Sequence, residues 1–507
     1  MTTRVAVAAP STFGTDAATR VVASGGGAVD AAVAAVLVTL VTEPGIVSLA
    51  GGAYATVWPA GEPAAVTVDG YVAMPGLGTS PSAEPAVREV RTDYGGGVTM
   101  TAGHGSVAVP GALAALAETH RRWGLLPWQE VVAPAAEVAR SGFPLGSASA
   151  YYLRYVRETL YGWDPQTVVA LQDGSGRWLE TGDLVVVDGL ADTLELIADE
   201  GARTLYTGAL AAAVVDDMAQ RGGLVGAADL ASYRPVVRPA LAVRTTQWQL
   251  RTNPPPAIGG AVLAAMLHLI GDRPRADWTE DDVAVLVAVQ RQVLDARRDR
   301  LDTADDRARA AWDLVRDVGL AGAGSPSTAH VSVVDADGTA CSITSSFGYG
   351  SGVTVPGTGL WLNNSLGEHE LNRAGPLAPG SRLSSNMAPT VGRHPDGSAL
   401  AIGSPGADRI TTALLQVLAS FANGRASLQS AVDRPRLHVH HLDAGDTDGA
   451  ARIEAEEDLP LPGLDLPVRR HHPQSMYFGG VAAALLRSDG VLEAAGDPRR
   501  AGAVAVG

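Results

Sequence analysis

Thr328 stands where the small-residue run Gly319-Leu320-Ala321-Gly322-Ala323-Gly324-Ser325-Pro326-Ser327 gives way to the alternating segment Ala329-His330-Val331-Ser332-Val333-Val334. A threonine hydroxyl is a weak nucleophile without a base beside it. The α-amine of the same residue can be that base, with a pKa of about 7.7–8.0. Exposing this amine requires hydrolysis of the Ser327–Thr328 peptide bond, and a loose segment ahead of a rigid strand suits such a cut. The plainer reading is that Thr328 simply begins a strand, as β-branched residues often do. On these residues alone both readings stand.

Other chemistry-bearing groups are few. His438, His440 and His441 could hold a metal, but a His-rich strand end is common without one, and no metal or other cofactor is expected; His471-His472 reads the same way. His330 reads as a core residue beside the nucleophile strand. Gly350-Ser351-Gly352 lacks the spacing of a GxSxG elbow. Cys341 is the only cysteine, so no intramolecular disulfide, thiolate cluster or CxxC pair can form. All 38 basic residues are arginine. Without lysine there is no Schiff-base, pyridoxal-phosphate, P-loop or SxxK chemistry.

The elements that must position Thr328 belong to a chain of 507 residues, which is long enough for two domains or one large intertwined unit. Its composition, 46% hydrophobic and 18% charged, suits a compact enzyme. A net charge of −16 disfavours nucleic acid and anionic membrane surfaces as partners, which leaves a small-molecule substrate. The first 20 residues have no basic segment followed by an apolar run, and residues 31–41 are too few to span a bilayer, so a cytoplasmic location is expected. Helical Ala/Val/Leu stretches alternate with Gly/Pro punctuation through the first part. Residues 281–318 read as one or two solvated helices. Residues 329–344 read as two alternating strands around the turn Asp335-Ala336-Asp337-Gly338, and a final helix is expected near 408–422 with a strand pair towards the end. Helix-rich then strand-rich texture suggests a layered α+β architecture.

Thr328-Ala329-His330-Val331-Ser332-Val333-Val334-Asp335 resembles the start of the small subunit in γ-glutamyltransferases, a family of N-terminal-nucleophile (Ntn) hydrolases. Further matching segments run in order along nearly the whole chain. They include Gly26-Gly27-Ala28-Val29-Asp30, Glu43-Pro44, Gly51-Gly52, Val109-Pro110-Gly111, Asp229-Leu230-Ala231-Ser232-Tyr233, Pro254-Pro255-Pro256, Leu362-Asn363-Asn364, Leu383-Ser384-Ser385-Asn386-Met387-Ala388-Pro389, Gly403-Ser404-Pro405-Gly406 and Gly496-Asp497-Pro498-Arg499-Arg500. The resemblance implies a four-layer αββα sandwich autoprocessed into a large subunit, residues 1–327, and a small subunit, 328–507, which stay interlocked. It gives Thr328 the role of nucleophile and Ser346 that of the hydroxyl beside it. The backbone N–H groups of Gly406 and Ala407 become the oxyanion hole, with Ala407 where the family usually has glycine. Ser384 and Ser385 match the pair that grips a substrate carboxylate, and Asn364 falls among the substrate-binding positions.

The departures gather where that family recognises the γ-glutamyl group. Tyr71 stands where an arginine usually clamps the α-carboxylate, an exchange of a charged bidentate group for a neutral one. Glu368 replaces the usual aspartate and Ser365 the glutamine before it, while residues 345–350 and 369–382 are shorter than usual. A retained acyl-transfer centre with a rebuilt pocket is similar to the γ-glutamyltransferase-like C–C bond hydrolases of 4-alkyl-proline antibiotic pathways. That likeness implies attack by Thr328 on an oxalyl-type side chain of a pyrroline carboxylate and release of oxalate. An ordinary γ-glutamyl hydrolase or transferase, an acylase on another amide, and an uncut non-catalytic precursor are the rival readings.

Overall fold

The computed structural model describes residues 3–78, 84–94, 97–245, 247–271, 277–301, 304, 306–317, 328–369, 371–372, 377–422, 426–441 and 451–507. The expected linker 319–327 lies outside the described residues.

Two antiparallel sheets form the centre. The strands used below are β1 (Val5–Ala9), β2 (Gly52–Trp58), β3 (Val66–Gly70), β4 (Val236–Pro239), β5 (Leu241–Arg244), β6 (Gln249–Thr252), β7 (Thr328–Asp335), β8 (Ala340–Ser346), β9 (Thr390–Arg393), β10 (Ala399–Gly403), β11 (Ala482–Leu486), β12 (Leu492–Gly496) and β13 (Ala503–Val506). The first sheet has the order β13-β1-β7-β8-β2-β3-β4 and the second β12-β11-β10-β9-β6-β5. β7 and β8 therefore lie between β1 and β2, so segments from before and after residue 328 are neighbours in one sheet. Both sheets mix early and late strands, and the expected helix-rich and strand-rich portions are not separable bodies.

The sheets face each other across small residues, among them Ala6, Val334, Val391, Ala399, Ala401 and Ala484. Cross-sheet hydrogen bonds fix their register. Ser332 Oγ donates to Ala482 O (3.0 Å) and Ser342 Oγ to Ile402 O (2.9 Å). The helices α1 (Thr12–Ala23) and α2 (Ala28–Thr42) cover the first sheet. α2 is buried on every side, as its apolar sequence requires, and its one charge, Asp30, accepts hydrogen bonds from Gly27 N, Leu125 N and Leu126 N. The helices α3 (Gly259–Ile270) and α6 (Arg409–Phe421) pack together in the core on the far side, completing four αββα layers.

All eight residues of β7 are buried, because helices cover one face and the second sheet covers the other; its alternation separates two interiors rather than core from water. One expectation, that of solvated helices over residues 281–318, needs correction. The charged stretch forms two helices, α4 (Glu280–Arg300) and α5 (Arg307–Asp317), but α4 is more than a solvated face. Gln290 is buried and accepts from Val439 N (3.0 Å), and Arg297 is buried too. Among the described residues no helix is long and apolar enough to cross a membrane. Cys341 is buried in β8, where burial raises its thiol pKa.

Candidate active site

The first residue of β7 opposes the last residue of β8: Thr328 pairs with Ser346, and Ser346 with Gly52 of β2. Side chains on a strand alternate. Thr328 thus shares a face with His330 and Ser332, and Ser346 with Thr344 and Ser342. That face looks onto the second sheet, where Ser332 and Ser342 make their bonds. His330 sits directly under β10, since a Cβ on Gly403 would lie 2.2 Å from His330 Cε1. Its ring is held by Thr344 Oγ1 and Ser332 Oγ, each at 2.8 Å, and burial pushes its pKa down to about 3, which keeps it neutral. His330 is a core residue beneath Thr328.

Beyond Gly403 the chain turns over the start of β7 and enters α6. Gly406 has φ 127° and Ala407 φ 62°, so both lie in the left-handed region. Among the described residues neither the Gly406 N–H nor the Ala407 N–H meets a protein acceptor, although both residues are buried. Orphaned buried N–H groups are rare. A pair of them at the positive end of a 13-residue helix is suited to an anion or a developing oxyanion. The glycine usual at position 407 has its explanation here, because a Cβ in this region is disfavoured. Ala407→Gly is expected to raise stability by up to about 1 kcal/mol in urea denaturation, with turnover retained. Loss of turnover would show that the Ala407 methyl group takes part in the site.

Asp408, His438 and His440 bring potential ligand atoms within 4.8 Å of one another. Asp408 already binds Arg409 Nη1 and lies 3.1 Å from His438 Nε2, and the arginine charge lowers its pKa against the effect of burial. Arg409 is held on Asp408 Oδ1 while His438 and His440 (3.7 Å) face Oδ2, a charge network at the first turn of α6. His438 is buried rather than part of a surface cluster as expected. His471 likewise pairs with Glu454 (2.5 Å) and stacks on Tyr477.

On the other side of Thr328 the register continues through Gly52 to Tyr71. A Cβ on Gly52 would lie 2.6 Å from Tyr71 Cδ2, so the missing side chain lets the Tyr71 ring lean back along this row. Tyr71 stacks on Tyr54 (centroids 5.7 Å, 19° apart). Leu383 N donates to Val72 O (3.1 Å), which brings Ser384 and Ser385 beside Tyr71. Ser384 Oγ accepts from Arg307 Nη1 (2.9 Å), and Ser385 Oγ from Met387 N (3.2 Å). A cavity of about 620 Å³ opens from Ser384 and is lined by Arg234, Arg238, Arg307 and Arg382 as well as Asp229 and Tyr233. Thr328 is not on its wall.

Asn364, expected among the substrate-binding positions, also braces the backbone. Its Oδ1 accepts from Tyr349 N (2.7 Å) and its Nδ2 donates to Thr101 O (3.3 Å), fixing the loop that carries Gly348. Glu368 is buried against the same loop: a Cβ on Gly348 would lie 2.6 Å from Glu368 Oε1. Ser365 Oγ is buried with no hydrogen-bond partner among the described residues, and so are both ends of the Asn386 amide. Asn386 lies in one of the matching segments, but its burial is a tertiary fact that no local pattern shows.

Comparison with known proteins gives a consistent set of likenesses. The family model described as Gamma-glutamyltranspeptidase matches residues 14–309 and 277–507. Acylase ACY 1 proenzyme of Pseudomonas sp. (strain SE83) is 31% identical over 516 residues, covering 94% of this chain and 89% of that protein. Glutathione hydrolase proenzyme of Pseudomonas aeruginosa is 30% identical over 558 residues, covering 98% and 93%. The crystal structure of cephalosporin acylase from Bacillus halodurans superposes with a TM-score of 0.80 at 23% identity, covering 99% of this chain and 96% of that one. The structure described as LmbA2991HD gives 0.79 at 22%, covering 99% and 98%. At these identities the two structures establish a shared fold.

Proposed function

The chain belongs to the gamma-glutamyltranspeptidase family of autoprocessing Ntn hydrolases, and we propose that Thr328 is its nucleophile, freed by cleavage between residues 327 and 328. The observation that carries this reading is the geometry at one sheet end. Thr328 and Ser346 face each other across adjacent strands, and Thr328 shares a cavity wall with Pro405, the residue before two buried backbone N–H groups without acceptors. The large subunit is residues 1–327 and the small subunit 328–507. They remain one body after cleavage because β7 and β8 are hydrogen-bonded between β1 and β2.

Thr328 Oγ attacks the carbonyl while its own α-amine takes the proton. Charge then collects on the former carbonyl oxygen, where the Gly406 and Ala407 N–H groups stabilise it. The amine passes the proton to the leaving group. A water molecule repeats the sequence on the acyl-enzyme, and Thr328 is restored.

For the finer reaction we favour hydrolysis of a C–C bond, with oxalate released from the side chain of a pyrroline carboxylate in antibiotic biosynthesis. The support is the neutral Tyr71 at the position matching the glutamyl clamp, together with the buried, unpartnered polar atoms of Ser365 and Asn386. A second reading, an amide acylase or γ-glutamyl hydrolase, has its own support. Arg307 on Ser384 Oγ could hold a carboxylate from a new direction, and one relative is named an acylase.

Two substrates separate the readings. A lost charged clamp, worth up to about 3 kcal/mol, should depress kcat/KM on γ-glutamyl-p-nitroanilide by about 10²-fold relative to glutathione hydrolases. An oxalyl-bearing pyrroline carboxylate should release oxalate, detectable by mass spectrometry. Brisk turnover of the anilide without oxalate release would overturn the C–C reading in favour of the second.

A further inference from the structure

Two segments left idle by this mechanism, around Glu43 and around Arg500, meet beside the nucleophile. A cavity of about 20 Å³ is lined by Glu43, Ala148, Thr328, Pro405, Asp497 and Arg500, among others. One water needs roughly 10–15 Å³ by this measure, so the cavity has room for one. Glu43 is 5% exposed, and its Oε2 accepts from Ser149 Oγ at 3.1 Å. Among the described residues its Oε1 meets no protein donor. Burial raises the carboxyl pKa to about 7, against the opposing effects of the Ser149 hydrogen bond and the Arg500 charge.

The other titratable groups facing this space are committed elsewhere. His330 is neutral between Thr344 and Ser332. Asp497 is paired with Arg436 (2.7 Å) and Arg499 (3.1 Å). Arg500 forms no ion pair with Glu43 among the described residues and acts on it only through its charge. Glu43 is therefore the group on this wall able to change its proton near neutral pH.

We propose that Glu43 exchanges a proton with the α-amino group of Thr328 through a single water held in this cavity. The proposal rests on the reading of Thr328 as the freed nucleophile. Near neutrality an α-amine with a pKa of about 7.7–8.0 is mostly ammonium and cannot act as a base. One proton passes from the ammonium to the water and another from the water to the Glu43 carboxylate, leaving –NH2 and –COOH. The free amine accepts the Thr328 Oγ proton during attack and gives it to the leaving group. It then accepts a proton from the hydrolytic water and returns it to Oγ. Glu43 finally hands its proton back, so the cycle balances without any other reactant.

The probe is p-nitrophenyl acetate, an activated ester needing little recognition, with the p-nitrophenolate burst followed against pH. Acetylation is located by the mass of the fragment beginning at Thr328. For Glu43→Gln, which can still accept from Ser149, the burst rate at neutral pH is expected to fall by about 10²-fold and its acid limb to move to that of the amine alone. Ser149→Ala removes a bond that stabilises the carboxylate, so its acid limb should move to higher pH with the plateau retained. A cut, Thr328-dependent Glu43→Gln enzyme whose profile superimposes on the wild type would overturn the Glu43 proposal alone, as would an unmoved limb in Ser149→Ala. A burst that persists in Thr328→Ala would overturn the nucleophile reading, and this proposal with it.

Discussion

Thr328→Ala is expected to remain a single full-length chain on a denaturing gel and to lose at least about 10⁴-fold in turnover. Alanine keeps the backbone of β7 and its pairing with Ser346 but removes the one hydroxyl aimed at the carbonyl, so the fold should survive. On the proposed mechanism the same hydroxyl is needed twice: it attacks the preceding peptide bond during maturation and the substrate afterwards. Both functions must therefore vanish together. Thr328→Ser keeps the hydroxyl and should retain cleavage with reduced turnover. A Thr328→Ala chain that still divides, or still works, would remove the basis of the mechanism.

The largest effect on stability is expected at Arg499, away from the reacting atoms. Arg499, Arg436, Glu456 and Asp497 form a buried cluster behind the Gly480–Arg500 wall of the small cavity. Arg499 Nε donates to Glu456 Oε1 (2.9 Å) and Nη1 to Asp497 Oδ1 (3.1 Å), while a further bond joins Nη2 to Glu456 Oε2. Arg436 Nη1 pairs with Asp497 Oδ2 (2.7 Å), and burial presses the Arg436 pKa down to about 10. Arg499→Ala leaves two carboxylates sharing one cation out of water, which should cost about 3–5 kcal/mol. Urea denaturation in the Thr328→Ala background, where a single chain unfolds, measures it. A loss under about 1 kcal/mol would mean that these charges behave like exposed ones.

Much of the site was legible because its chemistry is local. The small-residue run before Thr328, the strand after it and the turn at Asp335-Ala336-Asp337-Gly338 lie within about twenty residues, and the turn does separate β7 from β8. The uninterrupted apolar run of α2 announced a buried helix for the same reason. Long-range packing was not legible. The alternation of β7 carries no sign that both its faces are covered, because a sheet between helices and a second sheet buries either set of residues. Gln290 and Arg297 looked like parts of a wet helix face and are buried by strand Leu437–His441 and its surroundings. That the Asn364 amide would reach Tyr349 and Thr101 is likewise invisible in its segment. Glu43 and Arg500 lie at opposite ends of the chain, and only the fold brings them to one water-sized cavity. Arg307, in a charge-rich helix, gave no sign that it would reach Ser384.

N-terminal sequencing of the mature, active protein tests the central claim most directly. The account predicts two fragments, the smaller beginning Thr328-Ala329-His330-Val331-Ser332. Full activity in an undivided chain, or a fragment beginning at any other residue, would contradict it.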